Sequence, residues 1–165
     1  MLKCNIGGIT MTYIWYCETA IGKLGIVEES EAISHILFDG DMSLDYYEKK
    51  ETKLIKETAK QLKAYFAGNL KNFDIPLLLQ GTQFQKDAWK ALMAIPYGET
   101  CSYKDIAEKI GSPKGARAVG LANNKNKIPI IIPCHRVIGT NGKLVGFAGG
   151  LSVKQQLIDL ETKNA

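Results

Sequence analysis

The pattern of apolar residues changes near residue 80, and this change most limits the folds open to the chain. Before that point, turn-forming and acidic residues separate three runs rich in β-forming residues, at 10–16, 24–27 and 32–38. These runs predict a small antiparallel sheet. Helical spacing of apolar residues over 54–66 predicts one helix, which ends at Gly68 and Asn69. Residues 72–81, which include Pro76, predict an extended linker.

After residue 81 the signals are helical and well capped. Thr82 with Gln85, and Ser102 with Asp105, form two capping-box patterns, so a helix is predicted to begin at each. The first helix is predicted to end near residue 94, and the second and third to cover 103–110 and 114–124. Two short helices joined by a tight turn that contains glycine are typical of a helix-turn-helix.

The chain is long enough for one large domain or two small ones, at 165 residues with 45% hydrophobic residues. The change near residue 80 favours two. The chain is therefore predicted to be an α+β protein, with a small α/β domain and linker at 1–79 and a mostly helical domain at 80–165.

The net charge is +4, and the charged residues are distributed unevenly along the chain. Acidic residues dominate from 28 to 51. Residues 104–154 contain nine basic residues and only two acidic ones, Asp105 and Glu108. This asymmetry indicates a polyanion-binding second half. A solvated basic face with no partner explains the charge equally well.

No apolar run approaches the roughly 20 residues needed to cross a bilayer, and no signal-peptide pattern is present, so a cytoplasmic location is expected. In that reducing compartment Cys4, Cys17, Cys101 and Cys134 are expected to be free thiols. Cys4, Cys17 and His35 could be zinc ligands, but the better interpretation is that they are three unrelated side chains, each buried or partly buried. No metal is expected.

The strongest candidate for chemistry is Cys134, which lies next to His135. Isoleucines at 130–132 predict a short buried strand, and Pro133 ends it, so the thiol is expected at a rigid strand end. A Cys-His pair by itself fits hydrolysis, redox chemistry or inert packing.

Small residues surround a single arginine at the start of the third predicted helix, in the order Gly115, Ala116, Arg117 and Ala118. A helix that reads bases in the major groove normally offers several Asn, Gln or Arg side chains. Small residues instead allow close backbone approach, and one arginine suits minor-groove binding by shape and charge. Packing of the small residues against the preceding helix, with Arg117 solvated, is the alternative.

Six segments in order carry a resemblance to a known family: GTQFQ at 81–85, IPYGET at 95–100, SY at 102–103, RAVG at 117–120, PIIIPCHRV at 129–137 and GGL at 149–151. Together they resemble the O6-alkylguanine-DNA alkyltransferase family, in its stand-alone form. The resemblance implies a ribonuclease-H-like α/β domain followed by a mostly helical domain with a winged helix-turn-helix-like motif that binds double-stranded DNA.

The resemblance also implies direct reversal of O6-alkylguanine, mainly O6-methylguanine, by irreversible transfer of the alkyl group to Cys134 after base flipping. His135, polarised by Glu161, would remove the thiol proton through a bound water. Tyr103 would donate toward the purine, and Asn126 would brace the turn before the thiol. No cofactor is expected, and a reaction of one lesion with one molecule needs only a monomer.

For DNA binding, the resemblance makes Arg117 the residue that replaces the flipped nucleotide, beside Gly115, Ala116, Ala118 and Tyr103. The base pocket is expected to be lined by Val137, Val145, Phe147, Ala148 and Gly149.

Four residues depart from the family's pattern. Lys127 replaces a usual proline, and Val145, Phe147 and Ala148 replace a usual glycine, tyrosine and serine. A branched Val145 is expected to narrow the pocket, which favours methyl over benzyl-sized adducts. Two other functions remain open: a lesion-binding protein of the same fold without catalysis, against which Cys134 argues, and a cysteine hydrolase, which would turn over.

Overall fold

The structure is a computed structural model that describes residues 10–41 and 47–165, so Cys4 lies outside the described residues. Within those residues the first half contains a four-stranded sheet in the order β3-β2-β1-β4. Its strands are β1 (Thr12–Thr19), β2 (Gly22–Glu29), β3 (Ala32–Leu37) and the short β4 (Glu48–Lys49). The pairs β1-β2 and β2-β3 are antiparallel, and β4 runs parallel to β1. The three predicted strands are confirmed.

Helix α1 (Lys53–Phe66) covers one face of this sheet. The Thr52 hydroxyl caps its first turn by accepting from the Ile55 amide at 3.1 Å. Its buried residues recur at helical spacing and end with Tyr65. The helix stops before Gly68, whose φ of 79° is a left-handed conformation that glycine adopts without strain. This predicted helix is confirmed.

The linker is extended, as predicted, and it also pairs with the sheet. The Ile33 amide donates to the Pro76 carbonyl at 2.8 Å, and the Leu78 amide donates to the Ile33 carbonyl at 2.9 Å. The linker therefore lies along the open edge of β3.

The second half is mostly helical. It contains α2 (Gln83–Met93), α3 (Tyr103–Lys109), α4 (Ala116–Asn124) and α5 (Leu151–Asn164). Both predicted capping boxes are formed, at the starts of α2 and α3. Helices α3 and α4 pack together as the predicted helix-turn-helix, and the short parallel strands β5 (Cys101–Ser102) and β6 (Val137–Ile138) lie beside them.

The predicted strand at the isoleucine run is wrong. Ile130 and Ile131 form a turn, with a φ of 75° at Ile130, although all three isoleucines are buried. The Asn126 side chain supplies the bonds that a strand partner would make, because its amide donates to the Ile132 carbonyl and its carbonyl accepts from the Ile128 amide, both at 2.9 Å. The β-branched residues at 130–132 therefore indicate burial, and they do not indicate strand pairing.

The two halves share one apolar core, which runs from the sheet and α1 to α2 and the isoleucine turn. The Ile36 amide of β3 also donates to the Lys127 carbonyl at 2.9 Å. None of the helices in the described residues is long and apolar enough to cross a membrane.

Candidate active site and nucleic-acid interface

Cys134 begins a single 3₁₀ turn, Cys134–Arg136, directly after Pro133. Only 7% of the residue is exposed. It forms the floor of a small cavity that is also lined by Tyr103, Asn123, Asn124, Asn126, Pro129, Gly146, Phe147 and Ala148. The thiol therefore lies in a shaped recess between α3, α4 and the loop before α5.

His135 is fully buried, and its Nε2 atom lies 3.0 Å from Oε1 of Glu161 on α5. Burial alone would raise the pKa of Glu161, but hydrogen bonds and charges from His135 and Arg136 lower it to about 2. An ionised carboxylate only accepts, so Nε2 carries the proton and Nδ1 keeps a free lone pair. Burial lowers the pKa of His135 against the opposing effect of Glu161, which favours the neutral ring.

The Nδ1 atom of His135 is buried and has no hydrogen-bond partner among the parts of the chain that the structure describes. It is the basic atom of the ring in this tautomer. The arrangement therefore provides a neutral imidazole whose free nitrogen can accept a proton.

Burial raises the pKa of the Cys134 thiol, while Asn126 and the charge of Lys154 lower it. The net shift is upward, so Cys134 is a protonated thiol at neutral pH and needs a base to become a nucleophile. Lys154 is only 1% exposed, and its ammonium donates to the carbonyls of Val145 at 3.0 Å and Gly146 at 3.4 Å.

Sequence reasoning missed the residues that hold Glu161. Nε of Arg136 donates to Oε1 and Oε2 of Glu161 at 2.9 and 3.0 Å, and Nη2 donates to Oε1 at 2.6 Å. Nη1 of Arg136 donates to the Ile95 carbonyl at 2.7 Å. The Tyr65 hydroxyl, from α1, donates to Oε1 of Glu161 at 3.1 Å.

Arg136 and Lys154 were counted in the basic surface predicted for residues 104–154. That part of the prediction is wrong, because both residues are buried. The position of Arg136 directly after His135 was a usable signal for a role at the site. No feature of the sequence connected Tyr65 to a residue 96 positions away.

Tyr103 closes one side of the cavity, and its hydroxyl donates to the Val145 carbonyl at 3.0 Å. Val145 is 52% exposed and lines the groove that adjoins the cavity around Cys134. The chain turns at Gly146, whose φ is 44°, and this turn directs Phe147 and Ala148 toward the cavity. Gly146 lines both spaces and was not predicted.

Two predicted pocket residues lie elsewhere. Val137 is fully buried in β6 and is not part of the cavity wall. Gly149 packs against the rings of Phe38 and Phe147, where an added Cβ would lie 3.0 Å from Phe38. These two rings meet edge to face at 5.7 Å between centroids.

A groove between α4 and the loop before α5 joins the cavity, and Tyr103, Asn124 and Gly146 line both. Arg117 and Ala116 line this groove. Arg117 and Ala118 are exposed, whereas Ala116 and Gly115, the N-cap residue, are half-buried. The structure thus places the arginine of the predicted DNA-binding helix next to the entrance to the thiol.

Elsewhere, Cys17 is buried, Cys101 is half-buried, and His35 Nδ1 lies 2.9 Å from the Ser34 hydroxyl. Over residues 10–41 and 47–165, no group of three or more His, Cys, Asp or Glu side chains is placed to hold a metal.

A helix-turn-helix with an exposed arginine, next to a buried thiol and a His-Glu pair, defines a DNA-binding protein with a cysteine that a neighbouring base can activate. Residues 11–79 match the ribonuclease-like domain of 6-O-methylguanine DNA methyltransferase, and residues 83–163 match its DNA binding domain. The chain belongs to the 6-O-methylguanine DNA methyltransferase family.

Individual relatives match this chain over nearly its whole length. A methylated-DNA–protein-cysteine methyltransferase of Methanosarcina barkeri is 50% identical over 152 residues, which are 89% of this chain and 95% of the relative. The constitutive enzyme of that name from Bacillus subtilis is 45% identical, over 92% of this chain and 96% of its own. The crystal structure of Mycobacterium tuberculosis OGT in complex with DNA superposes with a TM-score of 0.87 at 44% identity, covering 93% of this chain and 94% of that one.

Proposed function

We propose that this protein repairs O6-alkylguanine, mainly O6-methylguanine, in duplex DNA by transferring the alkyl group once and irreversibly to Cys134. The observation that carries the proposal is the position of this thiol at the floor of a cavity, beside a His135 whose other nitrogen is bound to Glu161. The activity named for the M. barkeri and B. subtilis relatives supports it.

The chemistry follows from the protonation states. Nδ1 of His135 takes the thiol proton through a bound water, and the sulfur of Cys134 attacks the alkyl carbon. A carbon–sulfur bond forms, the bond between that carbon and O6 breaks, and the electron pair passes to guanine. Guanine gains a proton by way of the Tyr103 hydroxyl, and the proton taken from the thiol, now on His135, restores the balance through solvent. The step balances without an oxidant or a reductant. Cys134 ends as a thioether, so the molecule reacts once.

Tyr103 supplies the hydrogen bond to the leaving purine. In the structure its hydroxyl donates to the Val145 carbonyl, so an entering base takes over this bond. Asn126 acts indirectly, because it holds the turn that precedes Cys134. A preference for methyl adducts stays a prediction, and it depends on the loop from Val145 to Ala148, in which Phe147 and Ala148 line the cavity and Val145 lines the adjoining groove.

A base stacked in duplex DNA cannot reach a thiol that is 7% exposed, so the lesion is flipped into the cavity. Arg117 takes the place of the extruded nucleotide, and Gly115, Ala116 and Ala118 allow α4 to approach the minor groove closely. Residues 80–165 form the DNA-binding and alkyl-acceptor domain, and residues 1–79 form the supporting domain. We infer a monomer that acts in the cytoplasm, where DNA and a reducing environment occur together.

Stoichiometry tests the proposal. After incubation with excess O6-methylguanine duplex, mass spectrometry should find one added methyl group per molecule, on the Cys134 peptide, and no further turnover. Cys134→Ala should abolish transfer and keep DNA binding, and Cys101→Ala, at another thiol of the same half, should react normally. Bound DNA with unmodified Cys134 would contradict the proposal and indicate a lesion-binding protein.

A further inference from the structure

The N-terminal half contributes a polar atom to the reactive site. Tyr65, near the end of α1, is fully buried, and its hydroxyl donates to Oε1 of Glu161 at 3.1 Å. The same oxygen accepts from Nε2 of His135 at 3.0 Å. A single carboxylate oxygen thus joins a helix of the N-terminal half to the imidazole beside the thiol.

We propose that Tyr65 is a positioning residue of the reactive site, whose hydroxyl fixes the Glu161 carboxylate and shares its negative charge with His135. The hydrogen bonds stand on geometry alone, and only their consequence for alkyl transfer rests on the proposed function. The N-terminal half would in this way set how strongly His135 binds a proton.

The physical reason is competition among donors. Each donor to a carboxylate stabilises its charge and weakens the bonds that the carboxylate makes to other donors. Burial and the neighbouring Glu161 raise the pKa of Tyr65, so the phenol remains a donor at every physiological pH. Its ring is held by Phe73 at 5.4 Å and by Tyr97 at 6.2 Å between centroids, so the hydroxyl keeps its direction.

The described residues that act on His135, directly or through Glu161, all contribute to the expected effect; Tyr97 is among them, because its hydroxyl feels the charges of Glu161 and Arg136. Glu161 and Lys154 act from α5, and Arg136 acts from the same 3₁₀ turn. Cys134 is the adjacent residue, and Tyr65 acts only through Glu161. Loss of the Tyr65 donor leaves the other groups in place and concentrates the charge of Glu161 on its remaining partners.

The two histidines of the chain allow a direct test by ¹⁵N NMR on the full-length protein. Tyr65→Phe keeps the ring and deletes only the donor. The titration midpoint of His135 should rise by roughly half a unit to one unit, because the imidazolium gains a stronger acceptor. At pH 7, the Nε2 proton resonance should also move downfield, since its bond to Glu161 shortens. His35 should not move, which makes it an internal control.

Tyr97→Phe is the matched control. The Tyr97 hydroxyl is also buried and close enough to feel the charge of Glu161, but it has no hydrogen-bond partner in the described residues, so its loss should move both His135 readouts much less than Tyr65→Phe does. If Tyr65→Phe folds poorly, 3-fluorotyrosine at position 65 strengthens the donor and should lower the His135 midpoint.

The proposal is overturned if neither His135 readout moves when the Tyr65 donor is removed or strengthened. It is also overturned if Tyr97→Phe or the His35 signal shows an equal shift. None of these measurements uses DNA, so a failure of alkyl transfer to Cys134 leaves their outcome untouched, and the converse holds as well.

Discussion

The Glu161 carboxylate is the point at which the hydrogen bonds and charges of the site meet. It is buried, and it accepts hydrogen bonds from Tyr65, His135 and Arg136. Burial of a carboxylate is costly unless opposite charge and donors surround it. Burial lowers the pKa of His135, and the charge of Arg136, which pairs with the same carboxylate, lowers it further, so Glu161 orients His135 without forcing it into the charged form.

Glu161→Gln should lower the free energy of unfolding at pH 7 by about 3–5 kcal/mol, because the Arg136 guanidinium is left buried without its counter-charge. The folded-state pKa of Glu161 is about 2, below its ordinary value of 4.5. Its stabilisation is therefore complete above pH 4.5 and is lost as the pH falls toward 2. Urea unfolding at several pH values should show the gap between variant and wild type closing over this window.

Asp159→Asn, on the exposed face of the same helix, is the control and should change stability little at any pH. A gap between Glu161→Gln and the wild type that stays constant from pH 7 to pH 3 would show that the charge of Glu161 is not the source of the stabilisation.

At the scale of elements, the sequence predicted what local patterns encode. The capping boxes at Thr82 and Ser102 placed the starts of α2 and α3, because a cap is a contact within four residues. The turn at Ile130 was missed, since its geometry depends on the Asn126 side chain. The contact of Tyr65 with Glu161 has no periodic signal, so sequence patterns could not indicate it.

Helix α4 carries the element-scale prediction. Arg117→Ala should slow alkyl transfer from duplex DNA by about tenfold or more, because refilling the base stack offsets a cost of a few kcal/mol for unstacking. Transfer from the free base O6-benzylguanine should be nearly unchanged, because no base has to be flipped. Single-turnover kinetics on both substrates provide the comparison.

Lys114→Ala removes the same charge three residues before Arg117, in the turn that precedes α4, and it should weaken DNA binding without a specific loss in the duplex reaction. Equal slowing of Arg117→Ala on duplex and free base would instead place the arginine in the chemistry, and not in base flipping.

At the scale of the whole molecule, polar and aromatic contacts join the halves in addition to the shared core. The Ile36 amide bonds to the Lys127 carbonyl, the Phe38 ring meets the loop before α5, and Tyr65 bonds to Glu161. An isolated half would expose apolar surface and leave buried polar groups without partners. The molecule should therefore behave as one cooperative unit.

The two tryptophans of the chain test this cooperativity, since Trp15 lies in β1 and Trp89 lies in α2. Trp15→Phe and Trp89→Phe each leave one fluorescent reporter, in opposite halves. Trp89 is buried and donates to the Ala122 carbonyl, so its replacement lowers the overall stability more than that of Trp15. Within each variant, urea unfolding followed by fluorescence and by circular dichroism should nevertheless give the same midpoint. Two separate transitions would show that the halves unfold independently.

The burial of Cys134 also bears on how long an unused molecule lasts. A protein that reacts once is wasted whenever its thiol meets an oxidant or a free electrophile before it meets a lesion. Such side reactions follow the exposure and the thiolate content of a cysteine, and Cys134 is 7% exposed with a pKa raised by burial. Its low intrinsic reactivity therefore preserves the working life of the molecule, and a flipped base in the cavity supplies the geometry in which the thiol is used.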